Sequence, residues 1–333
     1  MSRVTGQFKL AGTKSFRRAS SQLFGHFGIN VQNPSKTMME ACEPDPGCVF
    51  LQADQSGAEA RCVSMEADNG NYRQLFDVGI KPHTYLAFQI FLDKFRGDHP
   101  RERYAFKAPR ELYELGDEWR AINTFITKDK SNEREYALGK LTAHGKSYDM
   151  GIQTFRINVL ERSQGTIRLT FQEAKYYMEM FEVLFPEVIA WQRKIKDQIY
   201  ATRRLVNLFG HPREFHGRMN DGLIREAYSW IPQSTIGIIT SNAICAMSEY
   251  IEEFKLKWDI LNDKHDSALA QCPIPEAHHC GAKLEEFLQA DLMSTTGLPW
   301  KMGTELFIGV NWKDMVPFHS DKGVALLAKL QGK

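Results

Sequence analysis

Apolar and polar positions alternate along the 333-residue chain in runs that change period several times. At 49–53 a short apolar run (Val-Phe-Leu-Gln-Ala) follows the turn-forming Pro46-Gly47 and predicts a strand. Ser56-Gly-Ala-Glu59 has the S-x-x-E form of a capping box, so a helix is expected directly afterwards. Residues 81–95 carry Leu86, Ile90 and neighbouring aromatics at helical spacing, with Pro82 suited to a first turn. Residues 132–148 and 170–200 read as further helices, the second long and amphipathic, and 207–222 as loop. A helix is predicted over 223–254, interrupted near Pro232. Then come strand, polar turn and strand over 257–271, a helix over 283–293 and short strands over 300–312. The first forty residues, with turn signals at Gly25, Gly28 and Asn33-Pro34, read as extended chain and loops. Strands toward both ends and helices between them predict one discontinuous α+β domain carrying a helical insertion.

Composition narrows the class. Hydrophobic residues at 43% and charged residues at 25% exclude wholesale disorder. No apolar run approaches the ~20 residues of a membrane helix, and the basic N-terminus lacks the apolar core of a signal peptide, so a cytoplasmic protein is expected. Lys plus Arg at 42 against Asp plus Glu at 41 leaves the question of a polyanionic partner to local clustering. The six cysteines form no C-x-x-C pair and read as reduced thiols; His278-His-Cys280 with Cys272 matches no standard zinc spacing.

Several stretches carry candidate chemistry. Asp54 stands at the tip of the 49–53 strand, where a carboxylate either caps the next helix or faces an exposed edge. Lys264-His265-Asp266-Ser267 lies in the predicted hairpin turn. Two aspartates meeting at strand tips would hold two divalent cations about 4 Å apart. On the 132–148 helix, Tyr136, Lys140, His144 and Tyr148 fall four apart on one face. That face is either a solvated polar surface or a grip for phosphates and a flat base. Arg225 to Thr235 repeats polar residues four apart, and Thr13 to Ser21 with Asn30-Val-Gln32-Asn33 supplies groups that grip phosphates and sugar edges.

In this order the stretches resemble the palm and fingers of a family A DNA polymerase, of the phage type, over about residues 13–314. Asp54-Gln-Ser-Gly-Ala-Glu59-Ala-Arg61 resembles motif A, Lys140 to Tyr148 motif B, and His265-Asp266 motif C. Asn30-x-Gln32-Asn33, Leu208-Phe-Gly210 with Arg225 and Gln233, and Gly309-Val-Asn-Trp312 match further family signatures. The resemblance implies a right-hand polymerase palm, an antiparallel sheet with flanking helices at 1–77 and 223–333, and helical fingers at 78–222. It implies a DNA-templated DNA polymerase that adds dNTPs to a primer 3′-hydroxyl by a two-metal mechanism. Asp54, Asp266 and the Gln55 carbonyl would bind two Mg2+ ions, with Mn2+ as a substitute. Asp54, Asp266 and Lys140 would be catalytic; Glu59 would be the gate against a ribose 2′-hydroxyl. His83, Arg134, Lys140, His144 and Tyr148 would bind the nucleotide. Arg18, Asn30, Gln32, Asn33, Arg61, Arg225, Gln233 and His265 would track the primer-template.

Departures from the family pattern bear on activity. Ser267 replaces the usual Glu after His-Asp, His144 replaces Phe or Tyr, and Tyr136 stands where many members carry Arg. Arg134 falls about 120° from the Lys140 stripe on a regular helix. No thumb and no D-x-E exonuclease signature precedes the palm signature; the expectations are a fragment of a larger chain or, favoured here, a split enzyme whose thumb and 3′–5′ exonuclease sit on a second polypeptide. The host cytoplasm would be its place if a phage encodes it. Competing readings are a catalytically weakened DNA-binding subunit and a single-subunit RNA polymerase-like enzyme, the latter opposed by Glu59.

Overall fold

The computed structural model describes residues 5–9, 12–21 and 30–332, so the turn signals at Gly25 and Gly28 lie outside the described residues. From the N-terminus come β1 (Gln7–Lys9), β2 (Ala19–Ser21), α1 (Lys36–Glu40) and β3 (Cys48–Gln55). A helical run follows: α2 (Ala58–Glu66), α3 (Asn71–Asp77), α4 (Pro82–Ile90), α5 (Leu92–Phe95), α6 (Pro109–Tyr113), α7 (Asp117–Lys128), α8 (Glu133–Ser147), α9 (Ile152–Arg162), α10 (Phe171–Leu184) and α11 (Pro186–Thr202). The short strands β4 (Arg204–Val206) and β5 (Pro212–Glu214) precede α12 (Asp221–Phe254). The chain closes with β6 (Asp259–Asp263), β7 (Ser267–Pro273), α13 (Ala277–Leu288), β8 (Ala290–Met293), β9 (Pro299–Met302), β10 (Thr304–Gly309), β11 (Val316–Pro317) and α14 (Asp321–Leu330). The fold is α+β with an antiparallel sheet. No helix is long and apolar enough to cross a membrane among the described residues.

The chain separates into two compact units, 1–59 with 206–211 and 230–333, and 60–205 with 212–229. The first is built on a five-stranded sheet in the order β11-β10-β3-β7-β6. Its central strand, β3, is the apolar run expected at 49–53, flanked on both sides by antiparallel partners. Val49, Leu51 and Ala53 point to one face and join Ala268, Ala270, Ile308, Leu284 and Met247 in the main core. Each fully buried Val or Leu there stabilises the sheet by about 1.5–3 kcal/mol relative to exposure. Phe50 packs on the opposite face with Leu269 and Trp312. Trp312 also donates from Nε1 to Gln52 Oε1 at 2.9 Å, so the closing Gly-x-Asn-Trp stretch clasps the strand one pleat behind Asp54.

In the second unit α4 and α8 approach closely at Gly139, where a Cβ would come 2.5 Å from the His83 carbonyl oxygen. Gln192 of α11 donates from Nε2 to the carbonyls of Lys146 (2.7 Å) and Ser147 (3.1 Å) and so ties α11 to the C-terminal end of α8.

Several features differ from the sequence expectation, among them α1 within the first forty residues and β5 within 207–222, both read as loop. The helix expected over 170–200 is two helices, because Pro186 lacks an amide donor and holds Phe185 out of the helical region (φ −131°, ψ 56°). The break expected near Pro232 does not occur: α12 runs through it, where Trp230, Ile231, Ser234, Thr235 and Ile236 are all buried and packing outweighs one missing hydrogen bond. The helix expected over 283–293 starts at Ala277 and stops at Leu288; 290–293 pairs with β9 as a strand. At Ser56 the amide donates to the Gly303 carbonyl (2.9 Å), and Glu59 pairs with Arg17.

Candidate active site

β3 and the β6–β7 turn bring Asp54 and Asp266 together within the first unit. Asp54 stands opposite Ser267 on one side and opposite Glu305 of β10 on the other. The Gln55 amide donates to the Asp266 carbonyl at 2.9 Å, so the residues after Asp54 and before Ser267 are joined by a backbone bond. The turn itself is tight. His265 adopts φ +62°, and the Asp266 amide donates to the Lys264 carbonyl at 2.7 Å. A positive φ at a non-glycine residue is strained and needs support. Support comes from α12: Gln55 donates from Nε2 to Thr240 Oγ1 (2.8 Å), and Thr240 Oγ1 donates to the His265 carbonyl (3.1 Å). Gln55 and Thr240 are both buried.

Burial raises both carboxyls. Asp54 is pushed up to about 7 by desolvation, with Asp266 and Glu305 adding repulsion and Lys264 opposing them. Asp266 is raised by desolvation first, with Glu59 adding to it, while its own amide, Arg17 and Lys264 lower it. Two half-buried acids, one near the end of β3 and one in the adjoining turn, fit a hard cation, and a donor set of two carboxylates with the Gln55 carbonyl would suit magnesium. No cluster of three or more His, Cys, Asp or Glu side chains forms a metal cage among the described residues, the Cys272, His278, His279 and Cys280 group included. His279 instead bonds the Tyr250 hydroxyl, and Cys280 is buried in the core.

The N-terminal segment supplies cations to this unit. Arg17 donates from Nη2 to Glu59 Oε1 at 2.7 Å, and Arg18 lies 3.7 Å from the Asp263 carboxylate. Gln32 is buried and holds Arg18 in place: its Nε2 donates to the Arg18 carbonyl (3.1 Å) and its Oε1 accepts from the Ser20 amide (2.8 Å). Asn30 Oδ1 accepts from the Gln32 amide, and Asn33 is exposed. Gln233 is half-buried on α12. Asn207 binds the turn after it, accepting from the amides of Phe209 and His211, and donates to Ser234 of α12.

In the second unit α8 is buried on most sides, yet Lys140 and His144 are exposed and Tyr136 and Tyr148 half-buried along one stripe. The Tyr136 hydroxyl meets His83 Nε2 at 2.8 Å, and burial, with Lys81 and Lys140 nearby, pushes the His83 imidazole down to about 4. Arg134 lies off this stripe, 3.6 Å from Glu135. Arg225 is exposed, and Arg61 lays its guanidinium over the Phe76 ring at 5.2 Å.

Sequence reasoning did not single out Arg17, Thr240 or Glu305. The Arg17-Arg18 pair was a visible signal. Thr240 and Glu305 become relevant only once strand register and helix packing are known.

No family model and no curated protein matches the sequence. The fold is nevertheless that of a polymerase domain: the chain is similar to the POL domain of Pol1 from M. smegmatis, solved in complex with DNA primer-template and dNTP. The TM-score is 0.68 at 16% identity, over 93% of this chain and 48% of that one. The chain thus spans about half the length of the solved chain it matches.

Proposed function

We propose that the chain is a DNA-templated DNA polymerase that joins dNTPs to a primer 3′-hydroxyl. One observation carries this reading: Asp54 near the end of β3 and Asp266 in the turn leading into the neighbouring strand β7 lie side by side in an antiparallel sheet of a polymerase-type fold. Asp54, Asp266 and the Gln55 carbonyl would hold two Mg2+ ions, or Mn2+ in their place. When bound, such ions neutralise developing charge and activate the attacking hydroxyl.

The protein's own groups do the rest by positioning. Lys140 and neutral His83 would bind the triphosphate, Lys140 as a charge and His83 as a hydrogen-bonding ring. Arg134 would add a second charge nearby. His144 and Tyr148 would pack on sugar and base, and Glu59 would exclude a 2′-hydroxyl. Arg18, Asn30, Asn33, Arg61, Arg225, Gln233 and His265 would follow the primer-template, with Gln32 setting Arg18. A second polypeptide carrying thumb and 3′–5′ exonuclease would complete a split enzyme; co-purification from the native source tests that part.

Primer extension on a defined template tests the whole. Template-dependent extension with dNTPs is expected, and a preference for ribonucleotides would replace this reading by an RNA polymerase. A weakened, DNA-binding subunit is the second reading, favoured by Ser267, whose hydroxyl is turned to the Lys264 carbonyl at 3.4 Å where the family has a carboxylate. DNA binding without extension would select it.

A further inference from the structure

Resting on the polymerase reading, we propose that Arg17 is a positioning residue that fixes the Glu59 carboxylate and so sets the preference for deoxyribose. Glu59 lies in the first turn of α2, and its carboxylate ends three rotatable bonds from the backbone. A side chain of that length excludes a hydroxyl only if its tip stays in one place. The Arg17 guanidinium holds that tip at 2.7 Å in a pair whose side chains are 15% and 23% exposed. Charge-assisted bonds of this kind are short and directional.

The arginine is itself anchored. Thr13 Oγ1 donates to the Arg17 carbonyl (2.9 Å), and Trp230 Nε1 of α12 donates to the Lys14 carbonyl (3.0 Å). The segment lies so close to α12 that a Cβ at Gly237 would come 2.9 Å from the Ser15 carbonyl oxygen and 3.1 Å from Arg17 Cγ. Phe16, at φ +59°, turns its ring to His211 at 5.4 Å. Arg18 pairs with Asp263, so the ion pair to Glu59 falls to Arg17. An anchored segment, a helix glycine that admits it and a part-buried ion pair together give the gate a rigid backing.

Single-nucleotide insertion kinetics with a dNTP and its matching rNTP test this in wild type, Arg17→Met, Arg17→Lys, Gly237→Ala and Glu59→Ala. Arg17→Met is expected to raise rNTP kcat/KM in absolute terms and lower deoxyribose selectivity by about tenfold, the scale of one charge-assisted bond. Arg17→Lys should keep most of the selectivity, and Gly237→Ala should relax it by displacing the segment, which provides a second route if Arg17→Met fails to fold. Equal loss of both insertions in Arg17→Met, or a wild-type ratio beside a relaxed Glu59→Ala, overturns the role of Arg17 alone. A wild-type ratio in Glu59→Ala overturns the gate itself.

Discussion

His83 is held at 2.8 Å from the Tyr136 hydroxyl, and its imidazole stays neutral until well below its ordinary value of 6.5. A base depressed by burial contributes stability that is present above pH 6.5 and lost as pH falls through about 4. Thermal melts from pH 7 to 4 should therefore show a loss that His83→Gln lacks. Tyr136→Phe removes the hydrogen-bond partner of the ring, and about 1 kcal/mol predicts a roughly fivefold rise in KM for dNTP in steady-state kinetics. Thr240 is the corresponding fine control in the first unit, since it joins Gln55 to the His265 carbonyl. Thr240→Val should reduce kcat by about tenfold and Thr240→Ser should restore it, as expected for one buried hydrogen bond under a strained turn. Part of this scale was legible: the Tyr136–Tyr148 stripe could be picked from its spacing, and Asp54 and Asp266 from the motifs that carry the family resemblance. Thr240 could not, because a threonine on an apolar helix looks the same whether or not a turn sits against it.

Among elements, α11 shows how one helix supports others. Glu187, buried at its first turn, accepts from the Tyr72 amide of α3 at 2.5 Å, and burial raises its carboxyl. A raised acid gives stability that is full below the ordinary carboxylate value of 4.5 and is lost as pH climbs through the raised one. Urea denaturation should find Glu187→Gln closer to wild type at pH 4.5 than at pH 8, where the variant, keeping an acceptor without the charge, should be the more stable. Gly139→Ala should cost about 1–3 kcal/mol in the same assay, because its methyl would meet the His83 carbonyl and Ala87. The strands β3, β6 and β7 and helices α4 and α8 were readable from their periods. The limits of α11, α12 and α13 were not: a proline signals a break, yet Pro186 ends a helix and Pro232 sits inside one. Only the burial of flanking residues separates the two cases.

At the scale of the molecule, the antiparallel order β11-β10-β3-β7-β6 explains why acids 212 positions apart in sequence, 54 and 266, become neighbours. The helical run between β3 and β6 leaves the sheet and returns, and β3 pairs with strands that are all formed by the last part of the chain. Order of motifs made this arrangement foreseeable. Glu305 entered only through register, as the residue opposite Asp54 on β10. The central claim is that the end of the inner strands β3 and β7 performs nucleotidyl transfer. It is tested most directly by primer extension with Mg2+ using wild type, Asp54→Ala and Asp266→Ala, each shown to be folded by circular dichroism. Metal clamps supply several kcal/mol of barrier lowering, so each substitution is predicted to cut extension by about a thousandfold or more. Extension by either folded variant at the wild-type rate would contradict the account.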